Sequence, residues 1–124
     1  MKTTFMQSSE ADEQSALFKW AAWQSIPELS LLFAIPNGGK RDIITATHLK
    51  AQGVKSGVPD IFLPVARGIY HGLFIEMKVK KNKPTGNQYA WINDLIIQGY
   101  CVKVCYGWFE ASEVIIKYLK RGKL

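Results

Sequence analysis

Cysteine and histidine are scarce: the 124 residues contain two of each, Cys101 and Cys105, His48 and His71. With so few soft or imidazole ligands, and none of them clustered, a structural zinc site is not expected. The two cysteines lie four positions apart in one strand-like stretch, too far to bridge within it. They read as buried thiols of a reducing compartment rather than as a redox pair. Neither histidine has a partner at ligand or triad spacing, so both read as surface or packing residues. No apolar run approaches the roughly 20 residues of a membrane span, and Met1-Lys2-Thr3-Thr4-Phe5 lacks the apolar core of a signal peptide. The expectation is a soluble, cytoplasmic protein with no membrane partner. The glycine-rich stretch Pro36-Asn37-Gly38-Gly39-Lys40-Arg41 lacks the lysine-serine/threonine ending of a P-loop, which argues against a nucleotide cofactor. No internal repeat, linker or low-complexity segment divides the chain, so 1–124 reads as one domain with a polar, frayed start over residues 1–8.

What is present is a core and a positive charge. Hydrophobic residues make up 48% of the chain, and 16 Lys plus Arg against 10 Asp plus Glu give +6. That balance suits a phosphate-backbone partner without requiring one.

The chain is organised around the stretch from Gly57 to Lys78. Leu73-Phe74-Ile75-Glu76-Met77-Lys78-Val79 has the length and residue types of a β-strand. Alternation then puts Leu73, Ile75, Met77 and Val79 on one face and Phe74, Glu76 and Lys78 on the other. Upstream, Gly57-Val58-Pro59-Asp60-Ile61-Phe62-Leu63 reads as a turn entering a second strand. The short connection Arg67 to Gly72 favours pairing of the two strands, and pairing brings Asp60 towards Glu76. Two carboxylates held close repel unless a cation lies between them, and hard oxygen ligands favour Mg²⁺ or Mn²⁺. Lys78 can then orient a water bound to the metal or steady charge on a phosphate. Taken alone, Glu-x-Lys fits equally an exposed ion pair on an edge strand.

Other segments supply the surroundings. Ser8 or Ser9 can cap a helix running to about Ser25, with Pro27 as its stop. Glu13, Ala16, Leu17 and Trp20 share its inward stripe, and an inward carboxylate needs a partner such as a metal; Glu10 lies one turn earlier on the same side. Leu29 to Ile35 is a short strand or a helical turn, and Thr45 to Gln52 a short helix ended by Gly53. Lys50, Lys55, Arg67, Lys80, Lys81 and Lys83 place positive charge around the two central strands. Thr85-x-x-Gln88 fits a capping box for a helix ending at Gln98-Gly99, with Gln88 on the face of Trp91, Ile92 and Leu95. Tyr100 to Tyr106 reads as a strand and Phe109 to Leu119 as an amphipathic helix.

The blocks Gly53-Val54-Lys55-Ser56-Gly57-Val58-Pro59-Asp60, Gly72-Leu73-Phe74-Ile75-Glu76-Met77-Lys78, Thr85-Gly86-Asn87-Gln88-Tyr89-Ala90-Trp91-Ile92 and Gly99-Tyr100 occur in that order. Together they resemble the VRR-NUC (virus-type replication-repair nuclease) domain, a branch of the PD-(D/E)XK nuclease superfamily. The resemblance implies an α/β sandwich of the restriction-endonuclease type, a mixed central β-sheet flanked by helices. It also implies a Mg²⁺- or Mn²⁺-dependent deoxyribonuclease. Metal ligands would be Asp60, Glu76 and the backbone carbonyl of Met77. The family's first motif, a glutamate followed by glutamine, matches Glu13-Gln14 and adds Glu13 to the set, with Glu10 as its alternative. Lys78 would activate the attacking water and Gln88 would support the site. Asn37, Lys40 and Arg41 of the glycine-rich loop, with Lys55, Lys80 and Lys81, are the candidate DNA contacts. Stand-alone domains of this branch are associated with phage or prophage and with branched DNA such as four-way (Holliday) junctions, which implies a homodimer. Trp20, Trp23 or Trp108 would serve its interface or the core. Two other classes remain open from sequence: a non-catalytic nucleic-acid-binding module, and an interaction module whose charges are only surface.

Overall fold

The structure, a computed structural model, describes residues 8–36 and 43–122. Helix α1 spans Glu10–Ala22 and starts at a capping box, in which Ser9 Oγ accepts from Asp12 N–H and Asp12 Oδ2 from Ser9 N–H. It ends short of Ser25 because Trp23 and Gln24 donate back only three residues, to Trp20 and Ala21, tightening the last turn before Pro27. The next segment holds both structures that its sequence allows: a single 3₁₀ stretch at Pro27–Leu31, then strand β1 at Phe33–Ala34. Helix α2 covers Ile43–Ala51, and strands β2 and β3 cover Ile61–Leu63 and Leu73–Lys78. Helix α3 (Gly86–Ile97), strand β4 (Cys101–Tyr106) and helix α4 (Trp108–Leu119) complete the chain.

The four strands form one sheet in the order β1-β2-β3-β4, antiparallel up to β3 and parallel between β3 and β4. A parallel neighbour requires a crossover, and α3 supplies it. The sandwich is therefore the mixed-sheet α/β type that the element order implies. Leu73, Ile75 and Met77 of β3 and Cys101 and Cys105 of β4 form one face. They are buried with Leu17 of α1 and Ala111, Ile115 and Tyr118 of α4. Both thiols are free, and burial pushes that of Cys105 up to about 12, which suits packing rather than reaction. On the opposite face Phe62 stacks on Phe74 with ring centroids 4.2 Å apart, and Tyr100 meets both rings edge-on. Glu76 and Lys78 continue this second face.

Arg67 does not add to the surface charge around the strands. It is buried, paired to Glu28 at 2.6 Å, and its guanidinium also donates to the carbonyls of Ala66 and Leu119. Trp20 and Trp108 pack against the core, whereas Trp23 is 85% exposed. Among the described residues no helix is long and apolar enough to cross a membrane.

Candidate functional site

The antiparallel register fixes the central pair. Ile61 lies opposite Ile75, so the residue before β2, Asp60, falls opposite Glu76. Alternation puts Asp60 on the face away from buried Ile61, the same face as Glu76. β3 outruns β2 here, and Asp60 Oδ2 takes the bond that a longer strand would have made, accepting from Met77 N–H at 2.8 Å. Asp60 is held from the other side too, its carbonyl accepting from Ile35 N–H at 2.7 Å.

The turn before Asp60 depends on a glycine. Gly57 has φ +89, and a Cβ there would lie 2.6 Å from Asn87 Nδ2. Asn87 in turn donates to Ser56 O and Ser56 Oγ. This close approach seats the turn on the first residues of α3, beside Gln88.

Glu76 is only 1% exposed. Its Oε2 accepts from Gln88 Nε2 at 3.1 Å and lies 3.8 Å from Lys78 Nζ, itself buried. Its Oε1 is buried and, among the described residues, has no hydrogen-bond partner. Burial first, and the charge of Asp60 second, push the Glu76 pKa from 4.5 to about 8. Lys78 pulls the other way, while a hydrogen bond with Asp60 and the charge of Glu10 add to the rise. One shared proton satisfies the two carboxyl groups, and so would one cation.

Gln88 does both things its sequence position allows. Its Oε1 accepts from Thr85 N–H at 2.9 Å to close the capping box, leaving Nε2 for Glu76. The two acids of α1 separate. Glu13 turns to the start of α4, where its Oε1 accepts from Trp108 N–H at 2.9 Å, whereas Glu10 is the α1 acid whose charge reaches Glu76. Spacing alone does not distinguish them, because α4 lies remote in sequence.

The donor set fits a hard divalent cation: two converging carboxylates, one with an orphaned buried oxygen, beside the backbone of Met77. Among the described residues no three His, Cys, Asp or Glu side chains converge as a ready-made cage. Such a site suits Mg²⁺, which keeps much of its water shell and takes one or two protein carboxylates.

Two clefts are lined by residues next in sequence to Gln88 and to Lys78. One, of about 500 Å³ between α2 and the start of α3, is lined by Lys50, Lys55, Ser56 and Asn87. The other, of about 860 Å³ beyond the end of β3, is lined by Lys80, Lys81, Asn82 and Tyr106, with Glu13 on its wall. Asn37, Lys40 and Arg41 lie outside the described residues. His48 and His71 are both exposed, and His71 packs edge-on against Tyr100. Sequence reading missed Tyr106; its one signal was an aromatic closing the strand parallel to the Glu-x-Lys strand.

The family model of the VRR-NUC domain matches residues 5–108 of the chain. A solved structure described as a VRR_NUC domain protein is similar at a TM-score of 0.82 and 32% sequence identity, covering 96% of this chain and 94% of that one. Among curated proteins no match was found.

Proposed function

The chain belongs to the VRR-NUC domain family, a nuclease-type family, and from that premise we propose that it is a Mg²⁺- or Mn²⁺-dependent deoxyribonuclease acting on branched DNA. The observation that carries the metal dependence is the orphaned, buried Oε1 of Glu76 beside Asp60. Asp60, Glu76 and the Met77 carbonyl would hold the ion, with Glu10 the α1 acid whose charge adds to the rise at Glu76. When bound, the cation supplies positive charge against phosphate oxygens and lowers the pKa of water.

The remaining work falls to this chain's own side chains. Gln88 fixes the rotamer of Glu76 through Oε2. The Lys78 ammonium sits on the same carboxylate, placed to hold the attacking water by a hydrogen bond and to offset charge growing on the phosphate. Lys55 in one cleft and Lys80 and Lys81 in the other would hold the DNA backbone. Symmetric cutting of a junction calls for two copies related by a two-fold axis, and exposed Trp23 is an apolar group available to such an interface.

The test is cleavage of labelled four-way junction, flap, single-stranded and linear duplex DNA with Mg²⁺, Mn²⁺ or EDTA, comparing wild type with Lys78→Ala and Lys78→Met. Metal-dependent cutting of the junction, lost in both variants, is the expected result. Tight, salt-sensitive binding without cutting of any substrate by wild type would replace the enzyme by a binding module.

A further inference from the structure

We propose that Tyr106 is a stacking platform for an unpaired base next to the scissile phosphate, so that the cleft beyond β3 selects DNA with a single-stranded or splayed nucleotide at the cut. The proposal rests on the nuclease reading only for the position of that phosphate. Tyr106 pairs with Lys78 in the parallel register of β3 and β4. Neighbouring strands run about 5 Å apart, and laterally paired residues point to the same face. Alternation agrees: Cys101 and Cys105 face the core, which turns Val102, Val104 and Tyr106 to the face of Glu76 and Lys78. The ring therefore begins beside the lysine of the carboxylate centre.

Three features distinguish this ring from an ordinary surface tyrosine. It is 41% exposed, although Val102 and Val104 on its own face of the strand are half-buried. Its hydroxyl is tethered, donating to the Asn82 carbonyl at 2.9 Å, so little freedom is left to lose when a base lies against it. It shares its cleft with Lys80 and Lys81, and the tight turn that carries them, closed by Asn82 N–H to Val79 O, holds Lys80 at φ +58. Glu13 on the same wall has Oε1 engaged with Trp108 N–H. A fixed aromatic face beside cations is the arrangement that captures unpaired bases while tracking their backbone. In a duplex the faces of the bases are covered by their neighbours, so such a platform gains nothing from continuous double helix.

The experiment is binding in EDTA, where no cleavage occurs. A 12-nucleotide single strand carrying 2-aminopurine and its blunt duplex are titrated with wild type, Tyr106→Ala, Tyr106→Phe and Tyr106→Trp. Tyr106→Ala should weaken the single strand by about 5- to 100-fold and abolish quenching of the fluorescent base. Tyr106→Trp should retain both, Tyr106→Phe should retain quenching with a smaller loss of affinity than Tyr106→Ala because it lacks the bond to Asn82, and duplex affinity should change less than about twofold. Unchanged single-strand affinity in Tyr106→Ala, an equal loss on duplex, or no single-strand binding by wild type each overturns the proposal. If Tyr106→Ala does not fold, Tyr106→Leu against Tyr106→Trp makes the same comparison. Because the readout needs no cutting, a protein that stacks the base but never cleaves sinks the nuclease reading alone. One that cleaves while Tyr106→Ala binds normally sinks the platform alone.

Discussion

Gln88 Nε2 donates to Glu76 Oε2 at 3.1 Å while the same carboxamide caps the first turn of α3. Stability and catalysis therefore meet in one side chain and can be separated by substitution. Gln88→Glu keeps the acceptor that Thr85 N–H needs but presents a further carboxylate to Glu76. It should fold near normally at low pH and lose most of its cleavage at neutral pH. Gln88→Ala removes the half of the capping box made by Thr85 N–H to Oε1, while Thr85 Oγ1 still accepts from the backbone N–H at position 88, and should lower unfolding free energy by up to about 1 kcal/mol. Urea denaturation beside a cleavage assay reads both; a Gln88→Glu variant as active as wild type would mean the bond to Glu76 does not matter to the reaction.

The raised pKa of Glu76 makes the metal-free protein less stable as pH increases. Folded Glu76 keeps its proton to about 8, whereas in the unfolded chain it is lost near the ordinary 4.5. Between those values the folded state binds more protons, so the contribution is complete below 4.5 and lost as pH rises towards 8. The slope is at most about 1.4 kcal/mol per pH unit. Saturating Mg²⁺ should flatten the trend, because it binds the deprotonated pair, and folded and unfolded Glu76 then carry the same number of protons above 4.5. Urea melts from pH 5 to 9 in EDTA and in Mg²⁺ test this, with Glu76→Gln expected to flatten the EDTA series.

Asp60→Ala and Glu76→Ala should abolish cleavage while DNA binding survives or strengthens, because each removes a negative charge beside the phosphates. Asp60→Ala also frees the Met77 N–H, so Asp60→Asn, which still accepts that bond, is the cleaner variant for activity. Filter binding in EDTA alongside cleavage in Mg²⁺ separates the two effects. Full cleavage by either alanine variant would remove these residues from the site.

Local patterns in the sequence carried much of this arrangement. Period-two alternation put Leu73, Ile75 and Met77 in the core and Glu76 with Lys78 on the other face. The Thr85-x-x-Gln88 spacing announced a helix start that the structure contains. Contacts between distant segments were not legible. Glu13 shares a helical stripe with core residues, yet its partner, Trp108 N–H, lies 95 positions away. Arg67 looks like one more surface cation until Glu28 is brought against it by the tertiary fold. Tyr106 gains its place only from the parallel register of β3 and β4, which no local pattern encodes.

Glu13 is expected to act through α4 rather than on the ion. Its carboxylate holds the Trp108 N–H at the helix start, next to Gly107, whose N–H donates to the Lys78 carbonyl at 3.2 Å. Glu13→Gln keeps an acceptor for Trp108 and should preserve both stability and Mg²⁺ affinity by calorimetry. Glu13→Ala should cost about 1–2 kcal/mol of stability, the loss of a charge-assisted bond at a helix N-terminus. Loss of Mg²⁺ binding in a stable Glu13→Gln protein would return Glu13 to the metal shell.

Lys80 is the one non-glycine residue at positive φ among those described, at +58, a conformation that costs an L-residue with a full side chain about 1 kcal/mol or more. Its cation lines the cleft beside Tyr106, so the strain and the charge occupy one position and can be separated. Lys80→Gly relieves the strain and should raise unfolding free energy by up to about 1 kcal/mol. It removes one phosphate contact, so the dependence of log affinity on log salt should become shallower by about 0.7 to 0.9. Lys80→Ala removes the same charge but keeps a Cβ at the same φ, and should show the salt effect without the gain in stability. If Lys80→Gly leaves the salt slope unchanged, the side chain is not in contact with DNA and the strained turn serves only to close β3. If both variants shift the slope equally and only glycine stabilises, the turn holds Lys80 at a cost in stability for the sake of the phosphate.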